Sequence, residues 1–321
     1  MTKKIDNLDN YLASHSWNIA PVGLYAPIGY TLEQGGKRLR PTFLLSGCKL
    51  FGDRTEGIYD AAMAIELFHN FTLLHDDLMD NADTRRNSPT VHCKWNVNTA
   101  VLSGDAMMIK SYEFLQKIPT EFWADIFPLF TKTALQVCEG QQYDMEFEQR
   151  DDVSLTDYFE MIRLKTAVLI AASLKIGAIL GGASEEDAET LYRFGTALGI
   201  AFQLQDDYLD LYGDVRTFGK QIGGDILCKK KTFLFLSALL SEERHLVDAL
   251  KQYMAADDIL PKEKIDHVRR IYNRLDIPHI CETAVGNYSE QAVAYLNQIG
   301  VPSERKRPLL ELTQSLTGRI L

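Results

Sequence analysis

Apolar residues recur along most of this 321-residue chain at the spacing of an amphipathic helix, i, i+3, i+4 and i+7. Leu191, Phe194 and Leu198 show this spacing in one stretch, and Ile65 and Phe68 show it in another. Residues at these intervals share one face of a helix. The sequence has no sustained strand-type alternation bounded by turn pairs. The pattern therefore predicts a protein built almost wholly of helices.

Glycines, prolines and polar pairs interrupt the pattern and mark the expected ends of helices. The chain has only 10 prolines and no Ser-, Gly- or Pro-rich linker. We predict a single all-α domain over residues 1–321, with roughly ten to twelve helices of about 12–28 residues each. The interruptions are Gly35-Gly36, Gly52-Asp53, Pro119, Asp151-Asp152, Gly181-Gly182, Gly213, Gly223-Gly224, Pro261, Pro278 and Pro302.

An aspartate cluster of the form DDxxD occurs twice, at Asp76–Asp80 and at Asp206–Asp210. Each lies in an apolar stretch, where an ionised carboxylate is costly unless a cation neutralises it. The first and last aspartates of each cluster stand at i and i+4 and share a helical face. Hard oxygen ligands suit Mg²⁺, which binds one or two carboxylates and completes its shell with water and substrate phosphate. The clusters therefore indicate a phosphate-bearing substrate.

Two basic clusters complement the aspartates. In the segment Gly35–Pro41, we expect Lys37 and Arg40 to stand three apart on one helix, whose start favours anions. Arg85 and Arg86 follow the first aspartate cluster, and as sequence neighbours they point to different places. A solvated surface is the alternative for both clusters. Further candidate phosphate contacts are Lys165, Thr166, Lys220 and Lys230.

Glu66 and His69 form an ExxH pair of the kind that binds di-iron in ferritin-like bundles. The other such pair, Glu242 and His245, lies in a polar stretch typical of a helix start, which disfavours a di-iron site. His69 instead serves the anion site or packs in the core.

Composition limits the possible partners. The net charge of −10 argues against a nucleic-acid partner, despite the lysine run at 229–231. The 5 cysteines form no CxxC pair and are typical of reduced thiols in the cytoplasm. The longest apolar stretch, Ala167–Ala183, is interrupted by Lys175, so it predicts a buried helix and no stable membrane insertion. We expect a cytoplasmic protein.

Together these residues closely resemble the trans-isoprenyl diphosphate synthases of the polyprenyl synthetase family, from about Gly35 to Lys230. One DDxxD motif is weak evidence, whereas two motifs with the basic clusters in family order are strong evidence. The resemblance implies the isoprenoid synthase fold, with helices around a central cavity, and a homodimer. The matching segments are 35–41, 66–86, 88–92, 104–105, 139–141, 165–167, 202–207 and 219–220.

The resemblance implies a head-to-tail, trans condensation of isopentenyl diphosphate with an allylic diphosphate, which is dimethylallyl, geranyl or farnesyl diphosphate. Three Mg²⁺ ions per active site, with Mn²⁺ as a substitute, would assist ionisation of the allylic diphosphate. The isopentenyl double bond then attacks the allylic cation, and a proton is lost to the departing diphosphate. No side-chain nucleophile is required.

Residue roles follow from the same resemblance. The implied metal ligands are Asp76, Asp80, Asp206 and Asp210, assisted by Asp77 and Asp207. The implied catalytic residues are Asp76, Asp77, Asp80, Asp206, Lys165 and Lys220. The implied contacts to the allylic substrate are Arg85, Lys165, Thr166, Gln203, Lys220 and Lys230. The implied contacts to isopentenyl diphosphate are Lys37, Arg40, His69 and Arg86.

Two positions depart from the family pattern. Asn87 stands where the family often has glycine after the arginine pair. Cys228 and Lys229 replace the usual Glu-Gly before the last lysine. The second departure leaves open which of Lys229, Lys230 and Lys231 contacts diphosphate.

The length of the product depends on what blocks the cavity below the first aspartate cluster. Phe71 lies five residues before that cluster, about 7.5 Å along the helix axis, with Thr72 beside it and Phe68 a turn further. In the resembled family an aromatic residue there limits the product, which favours C15–C20 with C20 ahead. Met107 and Met108 are further candidates for the wall, and ordinary core packing is the alternative for all of them.

Two other functions compete with chain elongation. A class I terpene cyclase would keep the first DDxxD motif, but it would have a different second metal motif and would lack the 35–41 segment. A non-catalytic subunit of a heteromeric prenyl synthase would have lost aspartates, whereas this chain keeps all 6 in its two clusters. The sequence therefore favours a prenyltransferase.

Overall fold

The computed structural model describes residues 2–213 and 222–318, with side chains described from Leu8 onward. Their regular secondary structure is almost wholly helical, which confirms the predicted all-α class. Twelve of the α-helices in these two ranges have 12–28 residues, as the periodicity predicts. Four shorter helices of 4–8 residues were not predicted, because they are too short to repeat an apolar face.

In the first part of the chain the helices are α1 Thr2–Ala13, α2 Val22–Glu33, α3 Leu39–Phe51, α4 Ile58–Met79, α5 Val91–Lys94, α6 Val97–Leu115 and α7 Trp123–Gln149. In the second part they are α8 Leu155–Ile162, α9 Val168–Leu180, α10 Glu185–Tyr212, α11 Gly224–Leu227, α12 Phe233–Leu239, α13 Arg244–Ala255, α14 Pro261–Arg274, α15 Ile277–Gln298 and α16 Ser303–Thr317. A 3₁₀ helix spans Thr120–Phe122, and a π-helical turn spans Arg163–Ala167. Strands β1 Thr84–Arg85 and β2 Ser88–Pro89 pair antiparallel.

The chain forms two compact units. Unit 1 comprises Met1–Ala134, Ala172–Tyr192 and Gly300–Lys306, and unit 2 comprises Leu135–Ala171, Arg193–Ile299 and Arg307–Leu321. Four of the five boundaries fall inside α7, α9, α10 and α16, so each of these helices contributes residues to both units, and the fifth lies between α15 and α16. The prediction of a single domain over residues 1–321 stays a prediction.

In unit 1, α4 is the central helix. It packs against α2, α3 and α6, and every residue from Ala61 to Phe68 is buried. Burial on all faces fixes the helix in place, since each apolar side chain withdrawn from water contributes about 1–3 kcal/mol. The C-terminal end of α4, which carries the first aspartate cluster, is thereby held on a rigid element.

In unit 2, a buried cluster that includes Tyr158, Leu204, Leu250, Val268 and Tyr272 forms the core. Helix α12 packs against α8 and α15, and α13 packs against α14. The last turns of α10, which carry the second aspartate cluster, contribute Leu204 and Leu211 to this core.

The apolar stretch predicted to be a core helix is α9. Its residues Val168, Ile170, Leu174 and Leu180 are all buried, which confirms the prediction. No helix in the described residues combines the length and the apolar character that a membrane crossing requires.

Candidate active site

A two-residue hairpin turn after the first aspartate cluster directs two arginines to different elements. Arg86 and Asn87 have φ of 51° and 62°, left-handed values typical of the tight turn that joins β1 to β2. Asparagine tolerates this conformation well, which accounts for Asn87 in a position where glycine is common. Arg85 turns back to the cluster: its Nε donates to Asp77 Oδ1 at 2.7 Å, and its Nη2 lies 3.6 Å from Asp76 Oδ2.

The first aspartate cluster occupies the C-terminal end of α4. Asp76 is partly exposed, and Asp80, whose backbone N–H donates to the Asp76 carbonyl at 2.9 Å, is exposed. Asp77 is only 6% exposed. Burial raises the pKa of Asp77 to about 6, although Arg85 opposes the shift. The two outer aspartates of the cluster are therefore more accessible than the inner one.

Four arginines of unit 1 form a guanidinium cluster around His69. They are Arg38, Arg40, Arg85 and Arg86. Arg38 pairs with the buried Glu66, whose Oε1 also accepts from Asn70 Nδ2 at 2.8 Å. A Cβ on Gly36 would lie 2.7 Å from Arg86 Nη2, and the φ of 132° at Gly36 is a left-handed value that favours glycine.

Lys37 lies outside α3, so the prediction that it shares a helix with Arg40 was wrong. The helix begins only at Leu39, because Arg38 adopts a left-handed φ of 46° that interrupts the helical backbone. Lys37 is exposed in the preceding loop, and Arg40 lies in the first turn of α3. The two side chains therefore share no helical face.

His69 lies in the guanidinium cluster as a neutral imidazole. Arg40 Nη1 lies 3.0 Å from His69 Nε2, and because arginine can only donate, Nε2 is the acceptor nitrogen. Burial lowers the pKa of His69 well below its usual 6.5, and the neighbouring arginines lower it further. Burial also lowers the pKa of Arg40 to about 10. Glu66 and His69 have separate arginine partners.

A cleft in unit 1 brings the inner aspartate and the arginines to one surface. It is lined by Thr31, Gln34, Asn70, Leu73, Leu74, Asp77, Arg85, Arg86, Thr90 and Val91.

In the second aspartate cluster, the inner carboxylate is held by neutral donors. Asp207 Oδ2 accepts from Tyr158 Oη at 2.6 Å and from the backbone N–H of Phe233 at 3.1 Å. Its Oδ1 accepts from Gln203 Nε2 at 3.0 Å, and Gln203 Oε1 accepts from Thr166 Oγ1 at 2.9 Å. Burial raises the pKa of Asp207 to about 6. Thr166 and Gln203 are thus linked to each other and to the inner aspartate.

Asp225 is a partly buried carboxyl group that sequence reasoning missed. Its backbone N–H donates to Asp210 Oδ2 at 3.1 Å, and Gly223 N–H donates to the Asp210 carbonyl at 2.8 Å. Burial raises the pKa of Asp225 well above its ordinary value, and the charges of Asp210 and Asp207 raise it further. The available signal was an aspartate directly after the Gly223-Gly224 pair.

Two of the predicted lysines share one carboxylate. Lys165 Nζ lies 2.6 Å from Asp144 Oδ2, and Lys230 Nζ lies 4.0 Å from the same oxygen. Sequence reasoning also missed Asp144, although it follows the matched segment 139–141 by only three residues.

The neighbours of Lys230 have other partners. Lys229 Nζ lies 2.6 Å from Asp257 Oδ1 and donates to the Ala255 carbonyl at the end of α13. Lys231 Nζ lies 5.6 Å from the centre of the Phe235 ring. Of the three lysines, Lys230 therefore has the surroundings that match Lys165.

Two of the predicted length-limiting residues, Phe71 and Phe68, belong to an aromatic cluster in unit 1. The ring centres of Phe71 and Phe68 are 5.5 Å apart, and those of Phe68 and Phe130 are also 5.5 Å apart. The His75 ring lies 4.8 Å from Phe71 on its other side. Met107 is fully buried. Sequence reasoning missed Phe130, because its contact joins residues 62 positions apart in the chain.

Comparison with known protein families assigns the chain. A model of the polyprenyl synthetase family matches residues 21–274. The chain belongs to the polyprenyl synthetase family.

Relatives and solved structures of this polyprenyl synthetase agree with that assignment. It is 43% identical over 220 residues to a geranylgeranyl diphosphate synthase of Methanosarcina mazei, covering 68% of each chain. It is 37% identical over 309 residues to the geranylgeranyl diphosphate synthase of Sulfolobus acidocaldarius, covering 90% of each. A crystal structure of a geranylgeranyl pyrophosphate synthase matches with TM-score 0.92, 40% identity and coverage of 99% and 97%.

A further solved structure was determined with ligands. It is a geranylgeranyl pyrophosphate synthase from Corynebacterium glutamicum complexed with isoprenyl diphosphate and magnesium, and it matches with TM-score 0.88, 27% identity and coverage of 98% and 97%.

This polyprenyl synthetase is a trans-prenyltransferase that elongates prenyl chains. Its family uses divalent metal ions. The comparisons do not favour a terpene cyclase or a non-catalytic subunit. Of the site residues expected from the sequence, Lys220 lies outside the described residues.

Proposed function

We propose that this polyprenyl synthetase condenses isopentenyl diphosphate with an allylic diphosphate to give a C15–C20 product, with C20 preferred. The observation that carries the proposal is the aromatic cluster in which Phe71, five residues before the first aspartate cluster, contacts Phe68 and Phe68 contacts Phe130. Relatives that are geranylgeranyl diphosphate synthases support the preference for C20.

We propose that Lys37, Arg40, His69 and Arg86 bind isopentenyl diphosphate. Arginine forks match diphosphate oxygens, and the neutral His69 adds no charge to be compensated. Glu66, the buried acid among these arginines, is already paired with Arg38. Glu66 also attracts Arg40 and Arg86, but one carboxylate among three guanidinium groups leaves a net positive charge for an anion.

The outer aspartates of both clusters fit Mg²⁺ as ligands. Within unit 1 the pair Asp76 and Asp80, and within unit 2 the pair Asp206 and Asp210, would each bind Mg²⁺, because carboxylate oxygens are its preferred protein ligands. Within residues 8–213 and 222–318, no three His, Cys, Asp or Glu side chains are grouped to hold a metal alone. Mg²⁺ needs only one or two carboxylates when phosphate completes its shell. When bound, it would neutralise charge on the leaving diphosphate.

The remaining predicted residues are proposed contacts of the allylic diphosphate. They are Arg85, Lys165, Thr166, Gln203, Lys220 and Lys230. Breaking the allylic C–O bond separates an allylic cation from diphosphate, and the cationic side chains stabilise the charge that grows on the leaving group. The isopentenyl double bond forms the new C–C bond with the cation, and the proton it loses goes to diphosphate.

The inner aspartates have a different proposed role from the outer ones. Asp77 and Asp207 are each occupied by protein donors and buried. We propose that they fix the ends of α4 and α10, so that the outer carboxylates are held on rigid elements.

The test of product length is Phe71→Ala. Removing the ring opens space for the growing chain, and each further CH₂ that is buried contributes about 0.8 kcal/mol. We expect products longer by one or more five-carbon units, read by chromatography after dephosphorylation. Thr72→Phe, which adds a ring next to Phe71, should shorten the product.

The matched control is Phe114→Ala, which deletes a buried ring of unit 1 that packs against His15. It should leave the product distribution unchanged. An unchanged distribution for Phe71→Ala at wild-type stability would mean that Phe71 is only a core residue, and Phe68, Met107 and Met108 would be tested next.

We also propose the homodimer and the cytoplasmic location that the sequence suggests. Light scattering coupled to size-exclusion chromatography measures the first directly, and a monomeric mass would refute it.

A further inference from the structure

Helix α7 directs two residues, one turn apart, at the segment that carries Lys165. A Cβ on Gly140 would lie 2.7 Å from both the Leu164 carbonyl carbon and Lys165 Cα, too close for any side chain. Asp144 follows four residues later and lies 2.6 Å from the Lys165 ammonium. Residues four apart share a helical face. The backbone contact and the ion pair therefore hold the same segment from the same side.

That segment is the π-helical turn Arg163–Ala167 between α8 and α9. Such turns are rare, and they occur frequently at functional sites. The turn sets where the Lys165 backbone lies, and Gly140 permits α7 to approach it closely. Asp144 then determines where the ammonium group at the end of the side chain lies.

One carboxylate thus faces two ammonium groups. The side chains of Lys165 and Asp144 are 25% and 16% exposed, and Lys230 Nζ lies 4.0 Å from the same carboxylate oxygen. Burial would raise the pKa of Asp144, but Lys165 and Lys230 outweigh burial and hold it below its ordinary value. Asp144 is therefore ionised at neutral pH and cancels one of the two positive charges.

We infer that Asp144 is a positioning residue that orients the Lys165 ammonium toward the leaving diphosphate. The inference rests on the proposed function, which assigns Lys165 to the allylic diphosphate. Asp144 acts through Lys165 and is not itself a substrate contact.

Two opposed effects decide what loss of this charge does. In the ground state Asp144 repels diphosphate and competes with it for Lys165, so a neutral residue should leave the allylic KM unchanged or lower. In the transition state Lys165 must meet charge that grows on the leaving group, and a displacement of about 1 Å can cost roughly 100-fold in rate. A neutral variant should therefore lose kcat without an increase in KM.

The variant that tests this is Asp144→Asn, which keeps the shape of the side chain and removes its charge. We expect kcat to fall roughly 10- to 100-fold, with an unchanged or lower KM for the allylic substrate and an unchanged KM for isopentenyl diphosphate. The control is Asp152→Asn, since Asp152 is 78% exposed and pairs with Arg150 just after α7. It should keep wild-type kinetics, and circular dichroism checks that both variants fold.

A double-mutant cycle with Lys165→Ala separates positioning from a general structural role. In the Lys165→Ala background, Asp144→Asn should change kcat by less than about threefold, because the residue that it positions is gone. An equal loss in both backgrounds, or an unchanged kcat for Asp144→Asn alone, overturns the inference and leaves the proposed function intact. Wild-type kinetics for Lys165→Ala would overturn the assignment of Lys165 in the proposed function, and the inference with it.

Discussion

The inner aspartates of the two DDxxD clusters are equally buried but are held by different chemistry. Asp77 and Asp207 are 6% and 7% exposed, and burial raises the pKa of each to about 6. Asp77 accepts from a charged guanidinium, that of Arg85. Asp207 accepts from neutral donors on Tyr158, Gln203 and the backbone of Phe233.

The difference shows that identical motifs need not have identical charge balance. Arg85 also lies 3.6 Å from Asp76, so it links the inner and outer aspartates of the first cluster. In the second cluster, the nearby carboxyl of Asp225 adds to the acidic groups, and the repulsion from Asp210 contributes to its raised pKa. We therefore expect the two clusters to respond alike at their outer positions and differently at their inner positions.

The largest expected effect is that of metal removal, which should abolish the function of both aspartate clusters at once. Outer carboxylates that would hold Mg²⁺ cannot stabilise a leaving diphosphate by themselves, because like charges repel. We expect EDTA to abolish product formation in a labelled isopentenyl diphosphate assay, and Mg²⁺ or Mn²⁺ to restore it. Full turnover in metal-free buffer would contradict the assignment of the aspartates as metal ligands.

Substitution of one outer aspartate in each cluster tests whether the clusters are equivalent. Asp76→Ala and Asp206→Ala should each lower kcat by roughly a thousandfold, because each would remove a metal ligand that stabilises the leaving group. Neither should unfold the protein, since loss of a carboxylate relieves repulsion. Circular dichroism verifies the fold. A near-wild-type rate for either variant would mean that the residue is not a ligand.

The long helices were predictable from the sequence, and the two aspartate clusters are visible in it, because both are local patterns. An apolar repeat over 12 or more residues defines a helical face, and DDxxD is a contiguous motif. The break before α3 was not predictable in this way, since it depends on the left-handed conformation of Arg38, which is an unusual choice for arginine.

Pairings between distant residues were also missed. The ion pair of Asp144 with Lys165 joins residues 21 positions apart, and the approach of Asp225 to Asp210 joins residues 15 positions apart. The local sequence around Asp144 or Asp225 does not identify the residue with which it pairs. Tertiary packing decides it, and the same packing produces the π-helical turn around Lys165.

The inner aspartates should differ in their contribution to stability. Asp207→Ala leaves Tyr158 Oη and the Phe233 N–H buried without this acceptor, at about 1–3 kcal/mol for each group. Asp77→Ala also removes a partner of Arg85, but Arg85 keeps a second one, because its Nη2 lies 3.6 Å from Asp76 Oδ2. Burial raises the pKa of both aspartates to about 6, so the desolvation cost of the two carboxylates is similar. Removing either carboxylate relieves a similar cost, and this contribution cancels when the two variants are compared. We expect Asp207→Ala to lower the free energy of unfolding by about 2 kcal/mol more than Asp77→Ala, measured by urea titration. Equal losses would remove the distinction between the clusters.

The smallest expected effect is the pH dependence of the free energy of unfolding that arises from His69, which lies among the arginines beside the first aspartate cluster. The unfolded chain protonates His69 near its usual pKa of 6.5, whereas the folded protein does so only at much lower pH. Protons therefore bind preferentially to the unfolded state, and the free energy of unfolding should fall as pH drops below 6.5 toward the folded pKa. One such proton contributes up to about 1.4 kcal/mol per pH unit.

His69→Gln isolates this term, because glutamine keeps an acceptor for Arg40 and does not titrate. We expect the loss of unfolding free energy between pH 7 and pH 5.5, measured by urea titration, to be about 1 kcal/mol smaller in His69→Gln than in the wild type. The control His279→Gln, at a side chain that is 70% exposed, should show the wild-type loss. If His69→Gln loses as much stability as the wild type, the imidazole is not held neutral by the guanidinium cluster. The first aspartate cluster would then have no neighbouring histidine whose protonation destabilises the fold.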